Sequence, residues 1–153
     1  MKILVIHGPN LNLLGRREPS QYGTVALEEI NKKITSYAKR EKVEVTIFQS
    51  NSEGDIINKI HEAVDFYDGI LINPGAYTHT SIAIRDALSA IELPVVEVHL
   101  SNIYKREGFR KKSFISEIAI GVISGFKEYS YILGTQALIH FLKERFHSQN
   151  IDK

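Results

Sequence analysis

A carboxylate and an imidazole, Glu97 and His99, form the most distinctive chemical pair in the sequence. In an extended chain, residues two apart project from the same face. A carboxylate beside an imidazole stabilises its protonated form and fixes its orientation, which is how a histidine general acid is prepared. The same spacing also fits a pair that only satisfies its own hydrogen bonds at a strand end. Spacing alone leaves both interpretations open.

A candidate base lies in the segment 7–23, where Arg17 is followed by Tyr22. A phenol is normally a poor base because its pKa is about 10. A guanidinium nearby favours the phenolate and brings the group closer to a working base. Tyrosines in loops are more often plain surface aromatics, so the sequence by itself also allows that interpretation.

Further polar residues that could bind a ligand follow three of the apolar runs, at residues 3–6, 70–72 and 95–98. Asn10 follows the first run, and the side-chain amide of Asn73 can bind a carboxylate or a carbonyl. Ser101 can hold an anion through its hydroxyl and backbone N–H, and Arg110 can bind a hydroxyl or a carboxylate. Taken singly, Asn and Ser more often form caps and turns, and basic loop residues are usually solvated.

Short apolar runs and longer segments must position these residues. The runs are rich in Val and Ile and mostly lack polar alternation, which predicts buried parallel strands. They cover residues 3–6, 43–48, 70–72, 95–98 and 118–123. The segments predicted as helices are 24–40, 52–66, 80–91 and 127–146. Ser52 with Asp55 resembles a capping box at a helix start, and Thr80 or Ser81 is a candidate cap for another helix.

Five strands joined by helical crossovers predict an α/β fold, a flavodoxin-like, doubly wound parallel sheet of order 2-1-3-4-5 in three α/β/α layers. The length of 153 residues fits one domain over 1–153. In such sheets ligands bind at the carboxyl ends of the strands, near the switch point between the first and third strands. The long connections 7–23 and 100–113 leave those ends, which predicts functional loops.

Composition excludes several classes of function. The chain has no cysteine, so disulfides and thiolate catalysis are ruled out. Nineteen basic residues against eighteen acidic ones give no reason to expect nucleic acid or a membrane surface. The amino-terminal apolar run is too short for a signal peptide, which leaves a cytoplasmic protein as the default expectation.

Bound metal and phosphate cofactors are not expected either. His7, His79 and His99 do not make a convincing metal set, because no helical histidine pair or carboxylate triad accompanies them. The sequence also lacks the glycine-rich loops that bind dinucleotides or phosphates. We therefore predict no cofactor and no metal.

Three longer motifs join these observations: GPNLNLLGRREPSQYG at 8–23, NPGAYTHTSIAIRDA at 73–87 and EVHLSNIYKREGFR at 97–110. In this order and spacing they resemble type II 3-dehydroquinate dehydratase (3-dehydroquinase), and the similarity spans nearly the whole chain. The resemblance implies a hydro-lyase that converts 3-dehydroquinate to 3-dehydroshikimate through an enolate, in the shikimate pathway or in quinate breakdown.

Catalytic roles follow from the resemblance, position by position. Tyr22 matches the base that takes a proton from the carbon next to the ketone, and Arg17 matches the lid arginine that supports the phenolate. Asn10 matches the residue placed near the developing enolate. His99 matches the acid that protonates the departing hydroxyl, with Glu97 behind it. The family needs no cofactor.

Substrate binding is implied in the same way. Asn73, Leu100 and Ser101 match the set that holds the carboxylate of the substrate, while His79 and Arg110 match contacts to the ring hydroxyls. The resemblance further implies a homododecamer built from trimers, in which Asp86 reaches the site of a neighbouring subunit.

Two positions depart from the pattern of the family: Gly108 and Tyr104 stand where many members have Glu and His. The connection 100–113 is rich in Lys and Arg and is called the basic loop below. The two departures put the rigidity of this loop and the subunit contacts in question, but not the reaction. Two rival functions remain open, a lyase of the same architecture acting on another hydroxy-keto acid, and an anion-binding regulatory module that uses the basic loop.

Overall fold

A five-stranded parallel sheet forms the centre of the computed structural model, which describes residues 1–16 and 19–151. The strand order is β2-β1-β3-β4-β5, so β1 lies between β2 and β3 at the switch point. The strands are β1 (Lys2–His7), β2 (Glu44–Gln49), β3 (Gly69–Asn73), β4 (Val95–His99) and β5 (Gly121–Ser124). The predicted fold class and strand order are confirmed.

Helices cover both faces of this sheet. They are α1 (Pro19–Tyr22), α2 (Leu27–Arg40), α3 (Glu53–Phe66), α4 (Ile82–Ile91) and α5 (Tyr129–Ile151). Short 3-10 helices occupy Leu11–Leu13, Gly75–His79, Ile103–Lys105 and Gly108–Arg110. Helices α2 and α5 pack on one face of the sheet, and α3 and α4 pack on the other. The result is the predicted three-layer arrangement.

Strand residues alternate between the two faces, as the pleat of a strand requires. Ile3 and Val5 of β1 pack in the core beneath α2 and α5. Leu4 and Ile6 pack in the core beneath α3 and α4. All four side chains are fully buried, which explains why the run shows no polar alternation in the sequence.

Helix caps set boundaries that the apolar pattern places less accurately. Ser52 precedes α3, and its Oγ accepts a hydrogen bond from the Asp55 N–H at 3.3 Å, as predicted. Ser81 does the same for Ile84 at 2.9 Å, so α4 begins at Ile82 and not at residue 80. At the other end of the chain, α5 continues to Ile151, beyond the predicted end at residue 146.

The fifth strand is shorter than the apolar run that predicts it. Residues 118–120 precede β5, and the Ile118 and Ala119 N–H groups both donate to the carbonyl of Ile115. These bonds form a turn, so only the second half of the run pairs with β4. Ile118 and Ala119 pack against the α3 and α4 layer, whereas Ile120 is 43% exposed.

The loops after β1 and β3 approach each other closely at Gly8. The Gly8 N–H donates to the carbonyl of Asn73 at 2.8 Å. A Cβ at position 8 would overlap the carbonyl oxygen of Pro74, which is backbone and cannot rotate away. Glycine at this position therefore lets the two strand ends that carry Asn10 and Asn73 lie side by side.

We expect Gly8→Ala to lower the free energy of unfolding by about 2 kcal/mol, because the added methyl group must push two backbone segments apart. Urea unfolding of both proteins measures the difference. Gly54→Ala in α3 is the matched control, since the nearest atom to its Cβ would be Ser52 Oγ at 3.9 Å. Equal stability of the two variants would contradict this account of Gly8.

Candidate active site

A cavity of about 140 Å³ opens at the carboxyl edge of the sheet. Loops that follow β1, β3 and β4 all contribute to its wall. The wall includes these residues predicted from the sequence: Asn10, Tyr22, Asn73, His79, His99, Leu100, Ser101 and Arg110. Residues that are far apart in the chain are thus brought together where the fold predicts a ligand site.

Two predicted site residues lie elsewhere, and the position of a third is not described. Glu97 is fully buried behind His99. Asp86 lies on α4 with 65% of its side chain exposed and is paired with Arg85 at 3.4 Å, so it does not line the cavity of its own chain. Arg17 lies outside the described residues.

The acid candidate is held by the carboxylate predicted to hold it. His99 Nε2 lies 2.6 Å from Glu97 Oε1, and both side chains are almost completely buried. Since Nε2 donates to the carboxylate, an imidazolium at this position carries its second proton on Nδ1. The nitrogen that can act on a ligand is therefore Nδ1.

Hydroxyl groups surround the carboxylate of Glu97. The Thr78 and Ser113 hydroxyls donate to Oε1 at 2.5 and 2.7 Å, and the Ser116 hydroxyl donates to Oε2 at 2.6 Å. The Ser113 oxygen accepts from the N–H groups of Ile115 and Ser116, which leaves its own proton for Glu97. These three donors were not predicted, because single Ser and Thr residues carry no signal of a partner so far along the chain.

The donors decide the charge of Glu97. Burial alone would raise the pKa of this carboxyl group, but the hydrogen bonds from His99, Ser116 and Thr78 and the charge of His99 outweigh it and lower the pKa to about 2. Glu97 is therefore an anion throughout the neutral range. The anion accepts the hydrogen bond from Nε2 and fixes the orientation of the His99 ring.

Tyr22 has a cationic partner that the sequence analysis did not single out. Arg106 Nη1 donates to the Tyr22 hydroxyl oxygen at 2.8 Å, and its guanidinium lies 5.5 Å from the centre of the Tyr22 ring. The same Nη1 is 3.5 Å from Ser101 Oγ. A cation that donates to the phenol oxygen stabilises the phenolate more than the phenol. The sequence shows Arg106 only as one of several cations in the basic loop.

Asn10 is fixed by a residue that follows β2. Its backbone adopts a left-handed conformation with φ of 68°, and its N–H donates to Asn51 Oδ1 at 2.9 Å. The carbonyl of Asn51 accepts from the Tyr77 hydroxyl at 2.8 Å, while Gln49 Nε2 donates to Asn51 Oδ1 at 3.2 Å. Asn51 thus joins the loops after β1, β2 and β3, a role that no sequence pattern indicates.

His79 and Arg110 face the cavity from the other side. His79 Nδ1 donates to the carbonyl of Lys112 at 2.7 Å, which leaves Nε2 for a ligand. Burial is the largest cause that lowers the pKa of His79, so the neutral ring with an accepting Nε2 is favoured. Arg110 Nε lies 3.3 Å from Glu107 Oε2, and this pairing holds the guanidinium at the cavity.

The turn after β4 is anchored through its carbonyl groups. The carbonyls of His99 and Leu100 accept from the N–H groups of Gly125 and Lys127 at 3.2 and 2.9 Å. The carbonyl of Ser101 accepts from Ser124 Oγ at 2.9 Å. With these oxygens engaged on the far side, Leu100 and Ser101 line the cavity at fixed positions.

The described part of the chain offers neither a metal site nor a membrane-spanning helix. No group of three or more His, Cys, Asp or Glu residues there could hold a metal ion. His7 instead bonds to Tyr131 and Asn31 in the core. Among the described helices, none is both long and apolar enough to cross a membrane.

Residues 1–139 match the family model of class II dehydroquinases. The chain belongs to this family. A 3-dehydroquinate dehydratase from Acaryochloris marina is 60% identical over 141 residues, which are 92% of this chain and 95% of that protein. One from Gloeothece citriformis is 59% identical over 142 residues, covering 93% of each.

Solved structures of the family have the same fold. A type II dehydroquinase from Butyrivibrio crossotus superposes with a TM-score of 0.88 at 48% identity, covering 90% of this chain and 97% of that one. Another, from Propionibacterium acnes, gives 0.87 at 40% identity over 91% and 96%. The resemblance and the enzyme class predicted from the sequence, a hydro-lyase, are confirmed.

The hydroxyl donors make a testable difference to Glu97. We expect Ser116→Ala to raise the pKa of Glu97, because Oε2 loses a hydrogen bond that favours the ionised form. Titration of the carboxyl carbon of Glu97 by NMR measures it. Ser148→Ala removes a hydroxyl that bonds only to the carbonyl of Glu144, so it is the control. An unchanged titration in Ser116→Ala would contradict the inferred role of Ser116.

The free energy of unfolding should depend on the ionisation of Glu97. Because the folded pKa of Glu97 lies below its unfolded value, its stabilisation is complete above about pH 4.5 and is lost as the pH falls toward 2. We expect Ser116→Ala to be about 1 kcal/mol less stable than the wild type at neutral pH. The difference should shrink as both proteins become protonated at Glu97, as urea unfolding at several pH values would measure.

Proposed function

We propose that this chain dehydrates 3-dehydroquinate to 3-dehydroshikimate through an enolate, in the shikimate pathway. One observation carries the proposal: a phenol supported by a cation and an imidazole supported by a carboxylate line the same cavity. Elimination of water next to a ketone needs a base and an acid that are separate groups. Tyr22 and His99 are such a pair.

Tyr22 is the base in this reaction. Its phenolate removes a proton from the carbon beside the ketone, and the electron pair of that C–H bond moves into the carbonyl to give an enolate. Arg106 supports the phenolate through the 2.8 Å hydrogen bond to its oxygen. We propose Arg17 as a second support of the phenolate, because it matches the lid arginine of the family.

The enolate needs stabilisation before the hydroxyl leaves. Asn10 lines the cavity, and its backbone is fixed by Asn51. We assign to Asn10 the polarisation of the enolate oxygen, either directly or through a water molecule. Fixing the backbone in advance reduces the reorganisation needed when the negative charge develops.

His99 completes the elimination. The enolate collapses, the C–O bond to the hydroxyl breaks, and the proton on Nδ1 of His99 passes to the leaving oxygen to form water. The product is a conjugated enone. Tyr22 ends with the proton from carbon and His99 ends neutral, so proton exchange with solvent restores both groups. No electrons are exchanged with another reactant, and no Schiff base is needed.

Substrate binding uses the rest of the wall. Asn73, Leu100 and Ser101 hold the carboxylate through an amide, backbone N–H groups and a hydroxyl. His79 accepts a hydrogen bond from a ring hydroxyl at Nε2, and Arg110 donates to another. These assignments fit the neutral state of His79 and the placement of Arg110 at the cavity.

We further propose that the chain assembles as a homododecamer that is built from trimers. Asp86 supports this, because it is exposed on α4 and does not line the cavity of its own chain. Such a residue can act only in the site of a neighbour. Sedimentation velocity tests the assembly, and a monomer at micromolar concentration would contradict it.

Turnover is predicted to depend on both proton-transfer groups. With 3-dehydroquinate as substrate, Tyr22→Phe and His99→Ala should each lower kcat about a thousandfold, since general acid–base catalysis supplies that order of rate. Formation of the conjugated enone is followed by ultraviolet absorbance. Tyr104→Phe and His147→Ala change exposed residues of the same types and should keep full activity.

The outcomes separate the rival functions. A folded wild-type protein that gives no enone from 3-dehydroquinate would rule out the proposed substrate. An anion-binding module without catalytic activity would form no enone, either as the wild type or as Tyr22→Phe. Full activity of Tyr22→Phe beside an active wild type would remove Tyr22 as the base.

The role of Arg106 gives a separate prediction. Arg106→Ala should lower kcat/KM about a hundredfold near neutral pH, because one charge-assisted donor to the developing phenolate is lost. Lys105→Ala removes an exposed cation from the same loop and is the control. An unchanged kcat/KM in Arg106→Ala would contradict the proposed support of Tyr22 by Arg106.

A further inference from the structure

Two side chains at the end of β2, Gln49 and Asn51, hold the segment that carries Asn10. Gln49 is the last residue of β2 and lies opposite His7 in the parallel register. The Ser50 N–H donates to the carbonyl of His7 at 3.1 Å, which continues the pairing of the two strands by one residue. Asn51 is thereby placed beside the segment that follows β1. Neither Gln49 nor Asn51 lines the cavity.

The two side-chain amides bind the backbone on both sides of Pro9. Gln49 Nε2 donates to the carbonyl of Gly8 at 3.3 Å and to Asn51 Oδ1 at 3.2 Å. Asn51 Oδ1 also accepts a hydrogen bond from the Asn10 N–H at 2.9 Å. Pro9 itself has no N–H to contribute. Gln49 and Asn51 thus form one unit, an amide clamp on the segment 8–10.

Backbone groups fix which end of each side-chain amide faces which partner. A carbonyl can only accept a hydrogen bond, so the Gln49 atom that faces Gly8 is the nitrogen. A backbone N–H can only donate, so the Asn51 atom that faces Asn10 is the oxygen. The contact between the two side chains then joins a donor to an acceptor. All three hydrogen bonds of the amide clamp are therefore consistent with one another.

Asn51 is also held through its backbone. Its carbonyl accepts a hydrogen bond from the Tyr77 hydroxyl at 2.8 Å. Tyr77 lies in the 3-10 helix Gly75–His79 and packs against the core beneath α3 and α4. The amide clamp is thus anchored to the packed core, although Asn51 itself is exposed.

Asn10 needs such a support because its backbone adopts a sparsely populated conformation. Its φ of 68° and ψ of −2° lie in the left-handed region. Asparagine tolerates that region better than most residues do, but it still favours negative φ. The Leu13 N–H donates to the carbonyl of Asn10 at 3.0 Å, while the Asn10 side chain does not cap this 3-10 helix and instead lines the cavity. The direction of the side chain therefore follows from the backbone, which Asn51 holds at the N–H.

We propose that Asn51, oriented by Gln49, is a positioning residue that aims the side-chain amide of Asn10 at the oxygen of the developing enolate. The inference rests on the proposed function, in which Asn10 polarises that oxygen. The negative charge develops only as the proton leaves carbon, so a donor held in place beforehand favours the transition state over the ground state. Without the amide clamp, the backbone at Asn10 can leave the left-handed region and turn the amide away.

Asn51→Ala is the first test, because it removes the acceptor of the Asn10 N–H and no group that lines the cavity. We expect kcat on 3-dehydroquinate to fall about tenfold, the effect of a misplaced rather than a missing donor. KM should change less than about twofold, because the enolate charge is absent when the substrate binds. A rise in KM with kcat unchanged, or no change in either constant, would overturn the proposal.

Ser52→Ala is the matched control. Ser52 is exposed next to Asn51, and its Oγ likewise accepts a hydrogen bond from a backbone N–H, that of Asp55 at 3.3 Å. This bond caps α3 and has no link to Asn10. Ser52→Ala should lose some stability and keep the wild-type kcat. If Ser52→Ala and Asn51→Ala lowered kcat equally, loosening of the chain between β2 and α3 would be the cause and the proposal would fail.

Asn51→Asp gives a test by rescue. A carboxylate in the same place keeps an acceptor for both the Asn10 N–H and Gln49 Nε2, so kcat should return to within about threefold of the wild type. Ser52→Asp places the same charge one residue away, keeps a good cap for α3 and measures the effect of the charge alone. If Asn51→Asp fell as far below Ser52→Asp as Asn51→Ala falls below the wild type, the acceptor would not matter and the proposal would fail.

A double-mutant cycle tests whether Asn51 acts through Asn10. Asn10→Ala should itself lower kcat, and adding Asn51→Ala should then have no further effect on kcat. A further fall of the same size in the Asn10→Ala background would show that Asn51 acts by another route. Wild-type kcat in Asn10→Ala would leave the amide clamp nothing to position and would also overturn the proposal.

Amide hydrogen exchange separates this inference from the proposed function. The Asn10 N–H should exchange faster in Asn51→Ala than in the wild type, because it loses its acceptor, and Asn51→Asp should restore its protection. A wild type inactive on 3-dehydroquinate would overturn the proposed function, while hydrogen exchange would still show whether Asn51 holds the backbone of Asn10. Unchanged exchange at Asn10 in Asn51→Ala would overturn the amide clamp.

Discussion

The site depends on one buried negative charge, the carboxylate of Glu97. An ionised carboxylate with no exposed surface is costly unless donors surround it. Here the donors come from three places: His99 on β4, Thr78 after β3, and Ser113 with Ser116 beyond the basic loop. A segment that moved away would leave a polar group unpaired. The charge of Glu97 therefore fixes His99 and holds together the segments that form one side of the cavity.

The pleat of the sheet separates Glu97 from His7 and Asn73. Glu97 follows Val95 on the face covered by α3 and α4, whereas His7 and Asn73 belong to the face covered by α2 and α5. The hydrogen bonds of Glu97 and those of His7 therefore form beneath different helical layers and share no side chain.

The sequence predicted what depends on local pattern and missed what depends on distant contacts. Buried Val and Ile runs predicted the strands, and the spacing of Glu97 and His99 predicted their pairing. Nothing local distinguishes Arg106 from the other cations of its loop, and Tyr131 meets His7 across 124 positions of the chain. Helix starts were misplaced by a few residues because a serine cap, not hydrophobicity, decides where a helix such as α4 begins.

The proposed acid and the proposed base are held in different ways. His99 belongs to a central strand and has its carboxylate partner two residues away, so the acid is in place whenever the sheet is folded. Tyr22 ends the short helix α1, and its partner Arg106 comes from another loop. The hydrogen bond between them joins these two loops at the wall of the cavity. In the proposed reaction the support of the base therefore depends on the placement of two loops, whereas the support of the acid depends on one strand and its neighbours.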